Sequence, residues 1–495
     1  MIMNKKLLLM FAFVLFMPFT VFSKGLTATE YIEKIASDNG GNPNKSSVIG
    51  ETSLAYDDTA DKNLRYVGKN PNNYVVFNDE VPVLKELYVI HLNQYTKSFT
   101  SIDSCVSSYN VSKKYFNDDE LTECVNNNGN YTYTINGDDR KLGYYTEEQS
   151  CIDSITWNYS PSNYDNFQCK KVTDYYGGWR IIGVMNNIDD GTGKKESRLK
   201  IQRAEALDDL SWDSLGDNDW TNSSLMKLLN PGYESSEMDA SFYYNSTSGL
   251  CSYAGHLVGQ NTECDYSQNG LKESSKEIIG DAVWNIGSNG SDNLYNYSAF
   301  DFYNAERSSN TDINCQGRES CNNKKTTWTG KVGLFYPSDF LYGTSGGNVI
   351  TREQCLNKNI LSWYDEYNDD CNDNNWLLAY DPVQWSIMPV ASTSTGQVFS
   401  IYTMQNGYML FNSTYEFGVR PNVYLKSDIS IIAGDGTKEN PYQLGYLSDE
   451  DDNNDLDIID IIVNPLTGNN VIMILIAFMV IIVGCIMSII KKREE

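Results

Sequence analysis

The cysteines constrain the fold of this chain more than any other feature. Ten of the 11 cysteines fall as five pairs of near neighbours, separated by longer gaps. An even set of cysteines in an exported chain is typical of a disulfide framework. Zinc ligation is not expected, because the chain has no CxxC sequence and only 2 histidines. The spacing predicts the local bridges Cys105–Cys124, Cys151–Cys169, Cys251–Cys264, Cys315–Cys321 and Cys355–Cys371.

Apolar segments at both ends predict export and a membrane anchor. Two lysines precede an apolar run that ends at Ser23, a pattern typical of a cleaved secretory signal peptide over residues 1–23. An uncleaved signal anchor is the alternative. Residues 471–490 are apolar and uncharged, and at about 1.5 Å per residue they span a roughly 30 Å hydrocarbon core. The basic tail 491–495 predicts a cytoplasmic end, so the rest of the chain lies outside the membrane.

A short motif stands directly before the C-terminal apolar run. An x-Pro-x-Thr-Gly pentapeptide, then an apolar helix and a basic tail, resembles the cell-wall sorting signal of Gram-positive surface proteins. The resemblance implies that a sortase thiol attacks the Thr467 carbonyl, expels Gly468 and passes the chain to an amine of peptidoglycan. A plain single-pass anchor with a chance motif is the alternative, and the residue at the first position leaves the sortase class open. The motif consists of Asn464, Pro465, Leu466, Thr467 and Gly468.

The charge balance argues against nucleic acid as a partner. The formal net charge is −27 with 65 acidic residues, whereas phosphates require clustered lysine and arginine. The densest acidic run, Ser448–Asp460, has no aromatic residue and predicts a disordered spacer over 448–463 that lifts the ectodomain off the envelope. A calcium loop there would lack its turn glycine.

The region between signal and spacer predicts an α+β fold, rich in strands and loops, with a few short helices and disulfide staples. Short apolar runs alternate with Gly, Asn and Ser along this region. Thr27 and Glu30 form a capping box that starts a helix running through Ala36. Two further helices are predicted over Trp220–Asn230, with Thr221 or Asn222 as the cap, and over Leu271–Trp284.

Two hairpins are predicted from turn residues between apolar runs. Trp179–Met185 and Ser197–Gln202 flank a loop with Asp190-Gly191, which supplies a positive φ angle. Residues 398–404 and 408–411 flank Asn406-Gly407, and a further strand follows over 418–425.

Ordered motifs across residues 26–444 resemble a family of uncharacterised exported proteins of Gram-positive bacteria, many of which carry a pilin-like N-terminal helix. The motifs are LRYVGKNPNNYVVFNDE, GGWRIIGVMNN, SLMKLLNPGYE, AVWNIGSNG, TTWTGKVGLFYPSDFLYG, NNWLL, QWSIMPV and FGVRPNVYLKSDISIIAGDGTKENPYQL. The departure from the family pattern is an insert with four cysteines. The predicted divisions are signal peptide 1–23, N-terminal helix and first strand 24–80, insert 81–176, main ectodomain 177–447, spacer 448–463, sorting motif 464–468, transmembrane helix 471–490 and cytoplasmic tail 491–495.

The C-terminal pattern is similar to a second group of folds. A Trp-containing strand, a loop, Gly-Val-Arg-Pro and an apolar strand resemble C-type-lectin-like and formylglycine-generating-enzyme-like folds. The enzyme branch would require a reactive cysteine pair near this core. Cys355 and Cys371 are the candidates, and their spacing favours a structural bridge instead.

Candidate ligand contacts come from aromatic and charged residues. Exposed rings stack on sugar faces or anchor protein partners, and the chain has 9 Trp and 35 Tyr. Trp376, Trp385 and Arg420 are the candidates, with Arg420 as an anion contact. For all three the alternative is a structural role in a strand-rich core.

Calcium is the one metal that the sequence suggests. Four oxygen-bearing side chains near the Cys355–Cys371 pair have spacing like that of a calcium loop, although Asn375 replaces the turn glycine. No other cofactor is predicted. The candidate ligands are Asp370, Asn372, Asn374 and Asp381.

The inventory of catalytic motifs favours binding over catalysis. The chain has no P-loop, and a triad would have to use His91 or His256. An acid pair of glycosidase type stays open, because 65 acidic residues always offer a pair. We therefore predict a wall-anchored binding or adhesion protein with a glycan or protein ligand, and with sortase and peptidoglycan as processing partners. The alternative is a wall-anchored hydrolase acting on glycans or peptides.

Overall fold

The computed structural model describes residues 25–112, 121–158, 166–233, 238–253, 260–288, 296–308, 326–363, 370–378, 383–390, 396–402 and 409–446. The segments predicted as signal peptide, spacer, sorting motif, transmembrane helix and tail lie outside these residues, as do Cys315, Cys321, Asp381 and His256. Within the described ranges no helix has the length and apolar character needed to cross a membrane.

Within this part of the chain the protein is strand-rich, with short helices and disulfide bridges. The helices are α1 Ala28–Asp38, α2 Ile102–Ser112, α3 Glu148–Asn158, α4 Ser224–Leu229, α5 Phe242–Asn245, α6 Glu273–Ile278, α7 Ala299–Glu306, α8 Pro337–Tyr342, α9 Arg352–Asn357 and α10 Asp370–Asp373. The strands are β1 Leu54–Tyr56, β2 Leu64–Tyr66, β3 Tyr74–Val75, β4 Val83–Leu92, β5 Tyr95–Phe99, β6 Val125–Asn127, β7 Asn130–Ile135, β8 Asp138–Tyr145, β9 Phe167–Tyr176, β10 Trp179–Asp189, β11 Lys195–Arg203, β12 Asp209–Ser211, β13 Ser248–Tyr253, β14 Gln260–Asp265, β15 Ala282–Asn285, β16 Thr327–Gly330, β17 Val332–Gly333, β18 Val383–Pro389, β19 Gln397–Tyr402, β20 Met409–Asn412, β21 Glu416–Gly418, β22 Asn422–Tyr424, β23 Ile429–Ala433 and β24 Gln443–Tyr446.

A seven-stranded sheet forms the centre of the main body, in the order β1-β2-β10-β11-β22-β17 with β3 also paired to β10. The predicted hairpin of Trp179–Met185 and Ser197–Gln202 is confirmed as the antiparallel pair β10–β11. Its turn uses Gly191 at φ +90°. All residues from Trp179 to Met185 are buried, so both faces of β10 are covered in this segment, which is apolar apart from Arg180.

Gly183 permits close contact between two strands of this sheet. A Cβ on Gly183 would lie 2.2 Å from the carbonyl oxygen of Leu64 in β2. The β10–β11 register also shifts between Ile181 and Gly183. A glycine inside an otherwise apolar strand therefore marks a bulge and a close approach of backbone.

A five-stranded sheet packs beside the central one, in the order β12-β21-β18-β19-β20. Its β19–β20 pair is the predicted C-terminal hairpin, although the Asn406-Gly407 turn lies outside the described residues. One core cluster holds both sheets together and contains the buried side chains Trp179, Trp284, Trp376 and Trp385. Trp328 is half-buried at its edge.

Of the three predicted helices, one begins as predicted and the other two are shorter than predicted. Helix α1 begins as predicted, with the Thr27 side chain accepting from Glu30 N and Glu30 accepting from Thr27 N. The prediction over Trp220–Asn230 was wrong, because Ser223 takes an extended conformation and caps α4, leaving a 3-10 turn at Trp220–Asn222 that Asp219 caps. The prediction over Leu271–Trp284 was also wrong, because α6 ends at Ile278 and Ala282–Asn285 pairs with β16.

Four of the five predicted disulfides are present in the described residues, joining Cys105–Cys124, Cys151–Cys169, Cys251–Cys264 and Cys355–Cys371. Cys251–Cys264 crosses the β13–β14 hairpin, and Cys355–Cys371 joins α9 to α10. The two other bridges lie within residues 81–176. Local loops of this kind restrict the unfolded chain.

Residues 81–176 contain their own small cores. Strands β4 and β9 pair over ten residues, from Val83 opposite Tyr176 to Leu92 opposite Phe167. One cluster surrounds Cys105 and Tyr133, and a second surrounds Ile90 and Cys151. The residues of these clusters do not belong to the main core cluster.

Candidate functional site

The two candidate tryptophans are buried, and their polar atoms bond to backbone. Trp376 is 1% exposed, donates from Nε1 to the Tyr66 carbonyl at 3.0 Å, and lies under the Arg180 guanidinium at 4.4 Å. Trp385 is fully buried and donates from Nε1 to the Leu210 carbonyl at 2.8 Å. The geometry favours the core-filling alternative for both residues over direct contact with a surface ligand.

Arg420 is buried as well, and its guanidinium group forms hydrogen bonds to several distant segments of the chain. Its Nε donates to the Arg203 carbonyl at 3.0 Å. Its Nη1 donates to the Leu377 carbonyl and to Gln384 Oε1, both at 3.1 Å. The rigid guanidinium thus links the end of β11 to the start of β18, which is the structural alternative that the sequence left open.

The described calcium candidates lie in a helical turn. Asp370 Oδ2 accepts from the backbone N–H groups of Val349 and Ile350, both at 2.8 Å. Asn374 Nδ2 donates to the Asp370 carbonyl at 3.1 Å. Among the described residues no group of His, Cys, Asp and Glu is arranged to hold a metal. Calcium binding here stays a prediction, since its fourth candidate, Asp381, lies outside the described ranges.

A cluster of partly exposed apolar and aromatic side chains lies on the five-stranded sheet. We call it the aromatic patch, and it consists of Leu210, Phe411, Tyr415 and Phe417. Ring centroids lie 4.5 Å apart for Phe411 and Phe417, and 5.7 Å apart for Phe411 and Tyr415. The Tyr415 and Phe417 rings are nearly parallel, with an interplanar angle of 4° and centroids 6.0 Å apart. Tyr415 is 38% exposed.

Strand pairing positions part of this patch. Phe417 lies in β21, and Tyr415 directly precedes that strand. Leu210 stands opposite Phe417 in the β12–β21 ladder. The centroid of the buried Trp385 ring lies 4.8 Å from that of Phe417. Phe417 therefore packs on a tryptophan that is itself fixed in the core.

The turn that carries Tyr415 is held by hydrogen bonds on both sides. Asn412 Oδ1 accepts from the backbone N–H and from Oγ1 of Thr414, both at 3.2 Å. Ser413 N donates to the Gly396 carbonyl at 2.8 Å, and Asp213 N donates to the Ser413 carbonyl at 3.0 Å. A surface fixed in this way loses little conformational entropy when it binds a ligand.

Carboxylates lie on the two strands that carry Leu210 and Phe417. Desolvation, followed by the neighbouring charges of Asp208 and Glu416, raises the pKa of Asp209. Asp209 is next to Leu210 on β12, and Glu416 is next to Phe417 on β21. Because successive side chains leave opposite faces of a strand, these two carboxylates lie on the other face of the sheet from Leu210 and Phe417.

A polar cavity of about 330 Å³ is the second candidate site. Two of its three acidic residues are already engaged: Asp57 accepts from Thr59, Asn63 and Arg65, and Asp58 accepts from the Tyr342 hydroxyl. Catalysis by an acid pair needs carboxyl groups that face the substrate, so this cavity is the weaker candidate. It is lined by Asn44, Ser46, Asp57, Asp58, Lys62 and Glu353, among others.

Sequence reasoning missed the aromatic patch. It treated residues 408–411 as one strand of a hairpin and did not consider Tyr415 or Phe417. The available signal was three aromatic residues within 411–417 around an Asn-Ser-Thr turn. Leu210 carried no signal, because it meets these rings only through the pairing of β12 with β21.

Comparison of the chain with protein-family models, curated proteins and solved structures finds no match.

Proposed function

We propose that this is a cell-surface binding protein whose disulfide-stabilised ectodomain recognises a glycan through the aromatic patch. The observation that carries the proposal is the pair of nearly parallel rings, Tyr415 and Phe417, with Phe417 packed on Trp385. Pyranose rings present flat C–H faces that pack on aromatic rings. A protein ligand or none would be the other outcomes of a binding screen.

The resemblance to exported Gram-positive surface proteins forms part of this proposal. It rests on the ordered motifs of residues 26–444, and the four bridges of the described residues agree with folding in an oxidising compartment. A C-type-lectin-like arrangement of the C-terminal strands is the finer proposal for the fold. Its support is the Gly-Val-Arg-Pro segment, whose Arg420 ties strands together within the core.

Removal of Tyr415 should weaken glycan binding about two- to tenfold, since one aromatic contact contributes about 0.5–1.5 kcal/mol. Purified residues 24–447 and their Tyr415→Ala variant would be titrated with muropeptides and mucin glycans by calorimetry. Phe300→Ala is the matched control, because the Phe300 side chain lies on α7 and is 42% exposed. Equal affinities for the wild type and Tyr415→Ala would refute the patch as the site.

The same samples would test the hydrolase alternative. Products of the muropeptides and glycans would be sought by mass spectrometry. Turnover that Asp209→Asn abolishes while the fold is retained would replace the binding function with hydrolysis. Asp209 is chosen because its raised pKa and its carboxylate neighbours are what a general acid requires.

Anchoring makes a separate prediction. Thr467→Ala should keep the protein in the membrane fraction, whereas the unaltered chain should be linked to the wall, because the proposed sortase attack uses the Thr467 carbonyl. Fractionation followed by immunoblotting would measure this. Thr437→Ala, in the ectodomain, is the control for an unrelated threonine. An unchanged distribution would mean that the pentapeptide is incidental and that residues 471–490 are the final anchor.

A further inference from the structure

A cluster of charged side chains is buried at the centre of the main body. Arg65 lies on β2, Lys200 on β11 and Asp339 in the first turn of α8. The Lys200 and Asp339 side chains are 0% and 1% exposed, and Arg65 is 3% exposed. Burial of charges is costly even when they are paired, so a cluster in this position needs a reason.

The two oxygens of Asp339 have different surroundings. Oδ2 is 2.5 Å from Lys200 Nζ and also accepts from the Tyr336 backbone N–H at 2.9 Å. Oδ1 accepts from Arg65 Nη1 at 2.6 Å. The amine therefore lies against one side of the carboxyl group while a guanidinium holds the opposite oxygen.

Aromatic rings enclose the amine of Lys200. Nζ lies 4.1 Å from the ring centroid of Tyr336, 5.2 Å from that of Trp284 and 5.5 Å from that of Tyr424. Desolvation lowers the pKa of Lys200 to about 8, although Asp339 opposes that shift. The neutral, nucleophilic amine is thus accessible close to neutral pH.

A buried carboxyl group adjoins the pair. Glu306 accepts from the backbone N–H of Ser338 at 2.8 Å and from its hydroxyl at 2.7 Å, and Ser338 directly precedes Asp339. Burial raises the pKa of Glu306 to about 7, although Arg307 opposes that shift. The charge of Glu306 acts on both Lys200 and Asp339. A carboxyl group that titrates near neutral pH is suited to taking up and returning protons.

We propose that Lys200 and Asp339 join in an intramolecular amide bond, with Arg65 stabilising the reacting carboxyl group and Glu306 carrying protons. Lys200 Nζ forms a bond to Asp339 Cγ, and the Cγ–Oδ2 bond breaks. Oδ2 leaves as water with two protons of the original ammonium group, and the third proton stays on the amide nitrogen. The step changes no oxidation state and requires no co-reactant.

Arg65 has a defined part in this step. Oδ1, which it contacts, becomes the amide oxygen and carries the negative charge of the tetrahedral intermediate, so a fixed cation there lowers the barrier. Burial alone would raise the pKa of Asp339, but Lys200 and Arg65 lower it, so the starting state is an ion pair. Conversion to a neutral amide removes the two charges that are hardest to solvate in this core.

The bond would tie the central sheet to a distant helix. Lys200 and Asp339 are 139 residues apart in the chain. A covalent link between β11 and α8 would therefore close a long loop that includes the β13–β14 hairpin and α7. Long closed loops restrict the unfolded chain most strongly.

The mass of the purified full chain tests the proposal. After reduction and denaturation, the wild-type protein should be lighter by one water molecule than its sequence requires. Peptide mapping should yield a branched peptide that joins Lys200 to Asp339. Because an Asp-Gly sequence can also lose water, mapping must place the loss on the branched peptide and not on Asp190-Gly191 or Asp435-Gly436.

Variants test the role of each residue in the step. Lys200→Arg and Asp339→Ala should have the mass that their sequences require. Glu306→Gln should lack one water molecule in only a small fraction of molecules. Lys171→Arg is the control, because Lys171 forms an exposed pair with Glu86 and should leave the loss unchanged. The wild-type measurement decides even if the core variants fail to fold: full mass with an unmodified Lys200 peptide would overturn the proposal and leave a buried ion pair.

Discussion

Arg65→Ala should lower the free energy of unfolding by about 3–5 kcal/mol, as expected when one member of a buried ionic cluster is removed. Arg65 Nε donates to Asp57 Oδ2 at 3.0 Å, and Nη1 donates to Asp339 Oδ1 at 2.6 Å. Both carboxylates are nearly inaccessible to water, so neither could be solvated in the variant. Asp57 would be left with the neutral donors of Thr59 and Asn63. The loss at Asp57 occurs whether or not Lys200 and Asp339 are covalently joined.

The measurement is urea-induced unfolding followed by tryptophan fluorescence. Lys171→Ala is the matched control, because it also breaks an ion pair, but an exposed one with side chains 51% and 69% accessible. Surface pairs contribute about 0–1 kcal/mol, so the control should unfold close to the wild type. If the two variants were destabilised equally, the cluster around Arg65 would have no special energetic role.

Trp179→Ala should also destabilise the protein by about 3–5 kcal/mol, because a large buried ring would be replaced by a cavity. Trp179 is fully buried, its ring lies 4.6 Å from that of Phe77, and its Nε1 donates to Glu80 Oε2 at 3.0 Å. It also begins β10, the strand to which β2, β3 and β11 pair. Loss of the ring therefore affects the first residues of the central strand.

Trp179→Phe separates packing from hydrogen bonding. The phenyl ring should retain most of the contact with Phe77, while the bond to Glu80 is lost. Glu80 would keep its contact with Arg203 Nε at 3.0 Å, so the expected cost of the lost bond is about 1 kcal/mol. Unfolding midpoints of the two variants give the comparison. Equal destabilisation by Trp179→Phe and Trp179→Ala would show that the hydrogen bond to Glu80, and not the packing of the ring, accounts for the stabilisation at this position.

The elements that could be predicted from sequence are those that neighbouring residues decide. The α1 cap needs only Thr27 and Glu30, and the β10–β11 hairpin needs only two apolar runs and a turn glycine. Near-neighbour spacing was likewise enough for the four disulfides of the described residues. The helix predicted over Leu271–Trp284 failed, because Ala282–Asn285 pairs with a strand that begins at Thr327. Apolar residues in that short segment fit either structure, and the distant partner decides.

The candidate sites depended on contacts between residues far apart in the chain. Arg65 and Asp339 are 274 residues apart, and Lys200 and Asp339 are 139 apart, so no local pattern indicates that they meet. Leu210 and Phe417 come together only in the β12–β21 ladder. By contrast, the buried state of Trp376 and Trp385 agrees with the structural alternative that their apolar neighbours suggested.

The paired strands at the base of the insert make it an exchangeable module. Val83 stands opposite Tyr176 in the β4–β9 ladder, so the chain leaves and re-enters the main body at points roughly 4.5–5.5 Å apart. Gly177 and Gly178, at φ +86° and +81°, then turn the chain toward Trp179. Any folded unit with adjacent termini could occupy this position without stretching the scaffold. The main body is therefore a platform on which evolution, or a protein engineer, could graft another folded unit while the central sheet keeps its register.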